Sequence, residues 1–163
     1  MAYWMKPDDT GVFIPAYSMS PQSASPSAPP SAILETCLTV SDLAQSRAFY
    51  EGLFGYPVMV AEERLCAFNL GGTQVLILFS QEEVSAPVHL PFGTIPAHGS
   101  RGASHLGFRI PADSLDDWLK RLGEKGITIE SSLTWPLGGT SIYFRDPDGH
   151  LLELLTPGVW PMY

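Results

Sequence analysis

Positive charge is scarce in this chain: nine lysines and arginines stand against seventeen aspartates and glutamates, for a formal net charge of -8. That balance repels the phosphate backbone on which nucleic-acid affinity chiefly rests, so no nucleic-acid partner is expected. Cysteine is scarcer still. Cys37 and Cys66 are the only two and show no CxxC spacing, which argues against a disulfide framework and against a cysteine-only zinc site; both read as small core hydrophobes. No apolar run approaches the roughly 18 residues that a membrane span requires. Residues 1–9 lack a basic patch followed by an apolar core, so no signal peptide is read, and the expectation is a cytoplasmic protein with no membrane partner.

What the chain does have is apolar content, 45% of 163 residues, enough to bury one core. Residues 1–32 stand apart as an N-terminal extension. Within it, 18–32 is almost entirely Ser, Pro and Ala, a composition that cannot bury enough apolar surface to fold alone and reads as an extended tether. Trp4, Phe13 and Tyr17 precede it as aromatics that could dock on the domain or on a partner subunit.

From residue 33 the elements follow in order. A strand at 34–40 runs into Ser41 as a helix cap, then a helix over 42–53 that Gly55 stops, with Leu43, Phe49, Tyr50 and Leu53 on one side. Strands at 56–61, 65–70 and 73–80 complete a first unit, 33–80. Residues 81–103 hold three prolines, three glycines and two histidines without periodicity and read as a long connecting loop. The pattern then restarts in a second unit, 104–157: a strand at 104–110, a helix over 112–123 capped by Asp113 or Ser114, and strands at 127–133, 140–145 and 150–157. The two units repeat one order of elements within a domain of residues 33–157. An aromatic tail, 158–163, follows and is expected to pack down.

Asp146-Pro147-Asp148-Gly149 is a tight turn, Pro147 presetting φ and Gly149 tolerating positive φ. In the strand beyond it, Glu153 interrupts a greasy run and shares a face with Leu151 and Leu155. A carboxylate there needs either a solvated face or a cation, because burying it unpaired is expensive.

The stretch 144–155, with this turn and its Leu-Glu-Leu strand, resembles the last hairpin of the vicinal oxygen chelate superfamily, which includes glyoxalase I, bleomycin- and fosfomycin-resistance proteins and extradiol dioxygenases. Ile33-Leu34-Glu35-Thr36-Cys37-Leu38-Thr39-Val40-Ser41-Asp42-Leu43, followed by Ala48-Phe49-Tyr50 and Leu53-Phe54-Gly55, resembles that family's opening strand and helix. The likeness covers residues 33–157. It implies an α+β fold in which two βαβββ modules form a curled mixed sheet around a central cleft, usually as a homodimer.

Strand alternation sends Glu35, Cys37 and Thr39 to one face of the first strand, and His105, Gly107 and Arg109 to the matching face of the fifth. Glu153 lies on the corresponding face of the eighth, so Glu35, His105 and Glu153 are expected to converge. Metal-binding members of the family take ligands from the first, fourth, fifth and eighth strands. By resemblance His105 and Glu153 fill the fifth and eighth positions, Glu35 stands at the first, and the fourth falls on Leu76 or Ile77, which cannot bind metal. Glu35, His105 and Glu153 form a hard donor set suited to a divalent ion, Zn, Mn, Fe or Mg. The chemistry implied is that of an isomerase, epimerase or lyase acting on a small oxygenated molecule through an enolate-like oxyanion. Glu35 would be ligand or base, Glu153 ligand or proton carrier, and Tyr143 would offer a hydroxyl.

The alternative is a metal-free binding protein of the bleomycin-resistance kind, in which Glu153 pairs with Arg109 or Arg145. Either arginine could attract an anion locally. Trp135 is a candidate apolar wall, His89 and His98 are loop histidines that could swing inward, and His150 reads as surface.

Overall fold

The computed structural model describes residues 29–163. Trp4, Phe13, Tyr17 and most of the Ser- and Pro-rich stretch lie outside the described residues. The first module contains β1 (Glu35–Val40), α1 (Leu43–Phe54), β2 (Val58–Ala61), β3 (Leu65–Leu70) and β4 (Gln74–Ser80). A short hairpin of β5 (Val88–Leu90) and β6 (Gly93–Ile95) follows. The second module contains β7 (His105–Arg109), α2 (Leu115–Glu124), β8 (Ile129–Thr134), β9 (Thr140–Arg145) and β10 (Leu151–Leu155).

The repeat is carried through to topology. One sheet has the order β1-β4-β3-β2 and the other β7-β10-β9-β8, each with its first two strands parallel and the rest antiparallel. The mixed sheet expected from the sequence is therefore built as two four-stranded sheets, one per module. The loop expected at 81–103 contains the hairpin, whose strands of three residues are too short to leave a periodic signature.

Helix ends follow local chemistry modified by tertiary contacts. Asp42, not Ser41, caps α1: its carboxylate accepts from the Gln45 N–H at 2.9 Å. Ser41 is drawn away because its own N–H and hydroxyl donate to the Asp148 carboxylate at 2.7 and 2.6 Å. Gly55 ends α1 at φ 69°, a left-handed position that glycine takes without steric cost. A 3-10 turn, Ala112–Ser114, leads into α2, and the Ser114 hydroxyl donates to the Pro111 carbonyl, not to a helix N–H.

Both sheets contribute their helix-covered faces to one core. Leu38, Val40, Cys66, Phe68, Leu76 and Leu78 from the first module join Phe108, Ile110, Ile142, Phe144, Leu152 and Leu154 from the second, with Tyr50, Leu53 and Leu122 from the helices. Phe54 of α1 bridges them, its ring 4.8 Å from Phe108 and 5.7 Å from Trp118. Each such side chain contributes about 1.5–3 kcal/mol when fully buried. Cys66 belongs to this core, whereas Cys37 sits on the opposite face of β1 and is exposed, contrary to its reading as a core residue.

A polar seam ties the modules together at the 146–149 turn. Asp148 accepts from Ser46 Oγ at 2.8 Å as well as from Ser41, and Asp146 accepts from the Tyr50 hydroxyl at 2.9 Å and from the His150 N–H at 2.8 Å. His150 is buried, not on the surface. Its Nδ1 accepts from the Ser104 N–H at 2.9 Å, which leaves Nε2 to carry the proton and donate to the Thr39 carbonyl at 3.1 Å. Burial raises the Asp146 carboxyl above its ordinary pKa, only partly offset by its Tyr50 and backbone donors. Burial also acts on Asp148, but the donors from Ser41 and Ser46, with His150 nearby, outweigh it and hold that carboxyl below the ordinary range.

Candidate functional site

The site begins with the register of β10. Glu153 lies opposite Gly107 on β7 and opposite Tyr143 on β9, on the face turned away from the core. Its carboxylate is almost fully covered, and His105 Nε2 stands 3.1 Å from Glu153 Oε2. The imidazole is about half open, with side-chain exposures of 48% for His105 and 11% for Glu153. Neither arginine considered from sequence pairs with Glu153 in an ion pair. Arg145 instead donates to both Glu130 oxygens at 3.2 Å and to the Gly149 carbonyl at 3.0 Å.

Glu35 does not join this pair within one chain. Among the described residues, no three His, Cys, Asp or Glu side chains gather around a common point. The physical reason is that alternation fixes which face of its own sheet a residue occupies, not how two sheets face each other. Glu35 is exposed on the open face of the first sheet, opposite Val75, while His105 and Glu153 belong to the second. Of the two fourth-strand candidates, Leu76 is a core residue, and Ile77 takes the open face opposite Cys37.

Gly107 is placed on this face by strand alternation but has no role in the sequence reading, although a glycine inside a strand marks a close approach. A Cβ there would lie 2.9 Å from Leu155 Cδ2 and 3.5 Å from Glu153 Oε2. Its absence makes room for the Leu155 side chain to pack across β7 beside the carboxylate. Tyr143 is on the same face, its ring 6.1 Å from that of His105. Burial pushes the phenol pKa up, Ser141 draws it down and Glu153 pushes it up again, so Tyr143 is a protonated hydrogen-bond donor. Trp135 stands at the edge of this face, where its Nε1–H donates to Ser141 Oγ at 2.8 Å.

The loop histidines stay away from the pair. His98 packs edge-on against Phe79 at 4.7 Å, and His89 Nδ1 lies 3.0 Å from Thr94 Oγ1 within the short hairpin. Ser100 bonds to Thr39 Oγ1, which lays part of the long loop on the open face of the first sheet. Cys37 beside Glu35 is held as a thiol, burial and the neighbouring carboxylate both raising its pKa. The aromatic tail packs down, the Tyr163 hydroxyl donating to the Ile110 and Leu155 carbonyls at 2.8 and 3.3 Å.

Two adjacent donors, an imidazole nitrogen and a nearly buried carboxylate oxygen, suit a divalent ion as far as they go. A carboxylate covered to this degree needs a proton donor or a cation, and His105 or an ion would serve. The match to known proteins is clear at this point: the model of the glyoxalase/bleomycin resistance protein/dioxygenase superfamily matches residues 32–154. The chain belongs to this superfamily.

Two similar curated proteins are metallothiol transferases. FosB of Bacillus licheniformis is 32% identical over 75% of this chain and 73% of its own length, and FosB of Staphylococcus haemolyticus is 31% identical over 72% and 78%. Among solved structures, a lactoylglutathione lyase from Agrobacterium tumefaciens superposes with a TM-score of 0.74 at 34% identity, covering 82% of this chain and 99% of that one. A fosfomycin resistance protein, FosX, from Listeria monocytogenes shares the fold at a TM-score of 0.60 and 22% identity. Superfamily membership accounts for the paired modules. No helix among the described residues is long and apolar enough to cross a membrane.

Proposed function

We propose that this chain is a metal-dependent lyase or transferase acting on a small oxygenated molecule, with His105 and Glu153 as two ligands and Glu35 of a second copy as the third. The observation that carries this reading is the 3.1 Å pairing of His105 Nε2 with Glu153 Oε2, in a strand otherwise made of leucine. The names of the relatives, a metallothiol transferase and a lactoylglutathione lyase, support a transferase or lyase over the isomerase and epimerase chemistries.

A divalent ion, Zn, Mn, Fe or Mg, would supply Lewis-acid polarisation of an oxygen substituent. The chain's own residues supply the rest. Tyr143 donates a hydrogen bond toward an oxyanion developing beside Glu153. Leu151 and Leu155 flank Glu153 on the same face and surround it with apolar side chain. Glu35 serves as ligand, or as base if the ion is held by two protein groups.

A homodimer follows from the same reading, because one chain brings together only two of the three donors. Exposed Met59 and Val60 on the edge strand β2, and Leu133 on the edge strand β8, support a surface that another copy would cover.

The test is elemental analysis of protein purified without chelator or affinity metal. About one divalent ion per chain is expected, falling to background in His105→Ala. Less than about 0.1 equivalent, with no uptake from added ions, would remove the metal-dependent reading. It would favour a metal-free binder of small molecules, a second reading supported by Ile77 at the fourth-strand position and by the bond that already links Glu153 to His105.

A further inference from the structure

We propose that His150 is a positioning residue of the metal site: its ring fixes the peptide in front of His105 against the strand that carries Glu153, and so sets the approach of His105 Nε2 to Glu153 Oε2. This rests on the reading of that pair as two metal ligands and adds to it the residue that keeps them in place.

His105 opens β7, an edge strand of its sheet that pairs with β10. The seat of β7 on β10 therefore decides where the imidazole stands relative to Glu153. Two consecutive residues fix that seat where the strands begin. The Leu151 N–H donates to the Ser104 carbonyl at 2.8 Å, and the Ser104 N–H donates to His150 Nδ1 at 2.9 Å. Since β10 starts at Leu151, the ring of His150 takes the place that a strand carbonyl would have in a longer ladder. With both its backbone groups tied, Ser104 delivers His105 opposite Leu151 and Gly107 opposite Glu153.

The ring is itself anchored. His150 is buried, its N–H donates to Asp146 Oδ1 at 2.8 Å, and its carbonyl accepts from the Asp146 N–H at 3.2 Å. Asp146 in turn accepts from the Tyr50 hydroxyl of α1. On its far side Nε2 donates to the Thr39 carbonyl of β1, the edge strand of the other sheet. A neutral imidazole supplies the acceptor and the donor in one rigid ring, so the start of β7 is referred to the core of both modules. An ion bonded at about 2 Å by His105 and Glu153 tolerates little displacement of either.

The test compares three substitutions in the full chain by calorimetric titration with Mn²⁺ alone. His150→Leu removes both ring bonds and should weaken Mn²⁺ at least about tenfold, the range of groups that orient a metal ligand. His150→Asn keeps an acceptor close to the place of Nδ1 and should recover most of that loss. His150→Gln reaches toward Thr39 instead and should not. Asp148→Ala weakens the seam between modules without touching the Ser104 bond, and its Mn²⁺ affinity should stay within about twofold of the wild type. A second readout needs no metal: at fixed pH, the ¹⁵N resonance of His105 Nε2 should move in His150→Leu and return in His150→Asn. Equal losses in the Leu and Asn variants, a comparable loss in Asp148→Ala, or a His105 resonance indifferent to His150 would overturn the proposal. No Mn²⁺ uptake by the wild type, with the resonance pattern as expected, would count against the metal reading while supporting His150 as the residue that seats His105.

Discussion

Asp148→Ala should destabilise the chain by about 2–3 kcal/mol, read as a shift in urea midpoint, because it removes three hydrogen bonds to one ionised acceptor. The donors are Ser41 N–H, Ser41 Oγ and Ser46 Oγ, and all belong to the first module, whereas Asp148 belongs to the second. The loss therefore falls on the seam between modules, and Ser46, fully buried, is left without its acceptor. The exposed Asp116→Ala on α2 serves as the control and should leave the midpoint in place. The pH dependence has a definite sign. The folded pKa of Asp148 is depressed, so its stabilisation is complete above the unfolded carboxylate value of about 4 and is lost as pH falls through the lower folded value. Asp146 works in the opposite sense: its raised folded pKa favours the fold at low pH, and that contribution is lost as pH rises through the folded value. The stability gap between wild type and Asp148→Asn should thus narrow below about pH 4, and a gap independent of pH would contradict the assignment.

Glu153→Gln should reduce divalent-metal affinity by at least about 100-fold, beyond the 10–100-fold typical of groups that merely orient a ligand. The amide keeps the volume of the side chain and its place between Leu152 and Leu154, so the fold should persist. It keeps an acceptor oxygen for His105 but removes the charge that an ion needs. Unaltered metal uptake, with the fold intact, would show that Glu153 is no ligand and return it to a structural partner of His105.

Much of the architecture was legible because it rests on local signals. The two βαβββ modules follow from apolar periodicity and glycine punctuation, and the strand at Thr140–Arg145 was placed to the residue. The misreadings are non-local in origin. Ser41 and Asp42 are both capping residues, and only the distant Asp148 decides between them by taking Ser41 for itself. His150 reads as surface from its nearness to a turn, yet it shares the buried face of Leu152 and Leu154. The pairing of β7 with β10 could be anticipated, and with it the meeting of His105 and Glu153. The place of Glu35 could not, since the packing of two sheets through their helix-covered faces is a tertiary outcome that alternation within a strand does not encode.

If Glu35 of one copy completes the His105–Glu153 site of another, two differently damaged chains should repair each other when mixed. Glu35→Gln and Glu153→Gln homodimers should each retain background Mn²⁺, while unfolding and refolding them together should produce mixed dimers with one intact site. Metal bound by the refolded mixture should rise well above that of either variant treated alone. A mixture that binds no more metal than its separate components, while still forming mixed dimers, would exclude Glu35 of a second copy from the site.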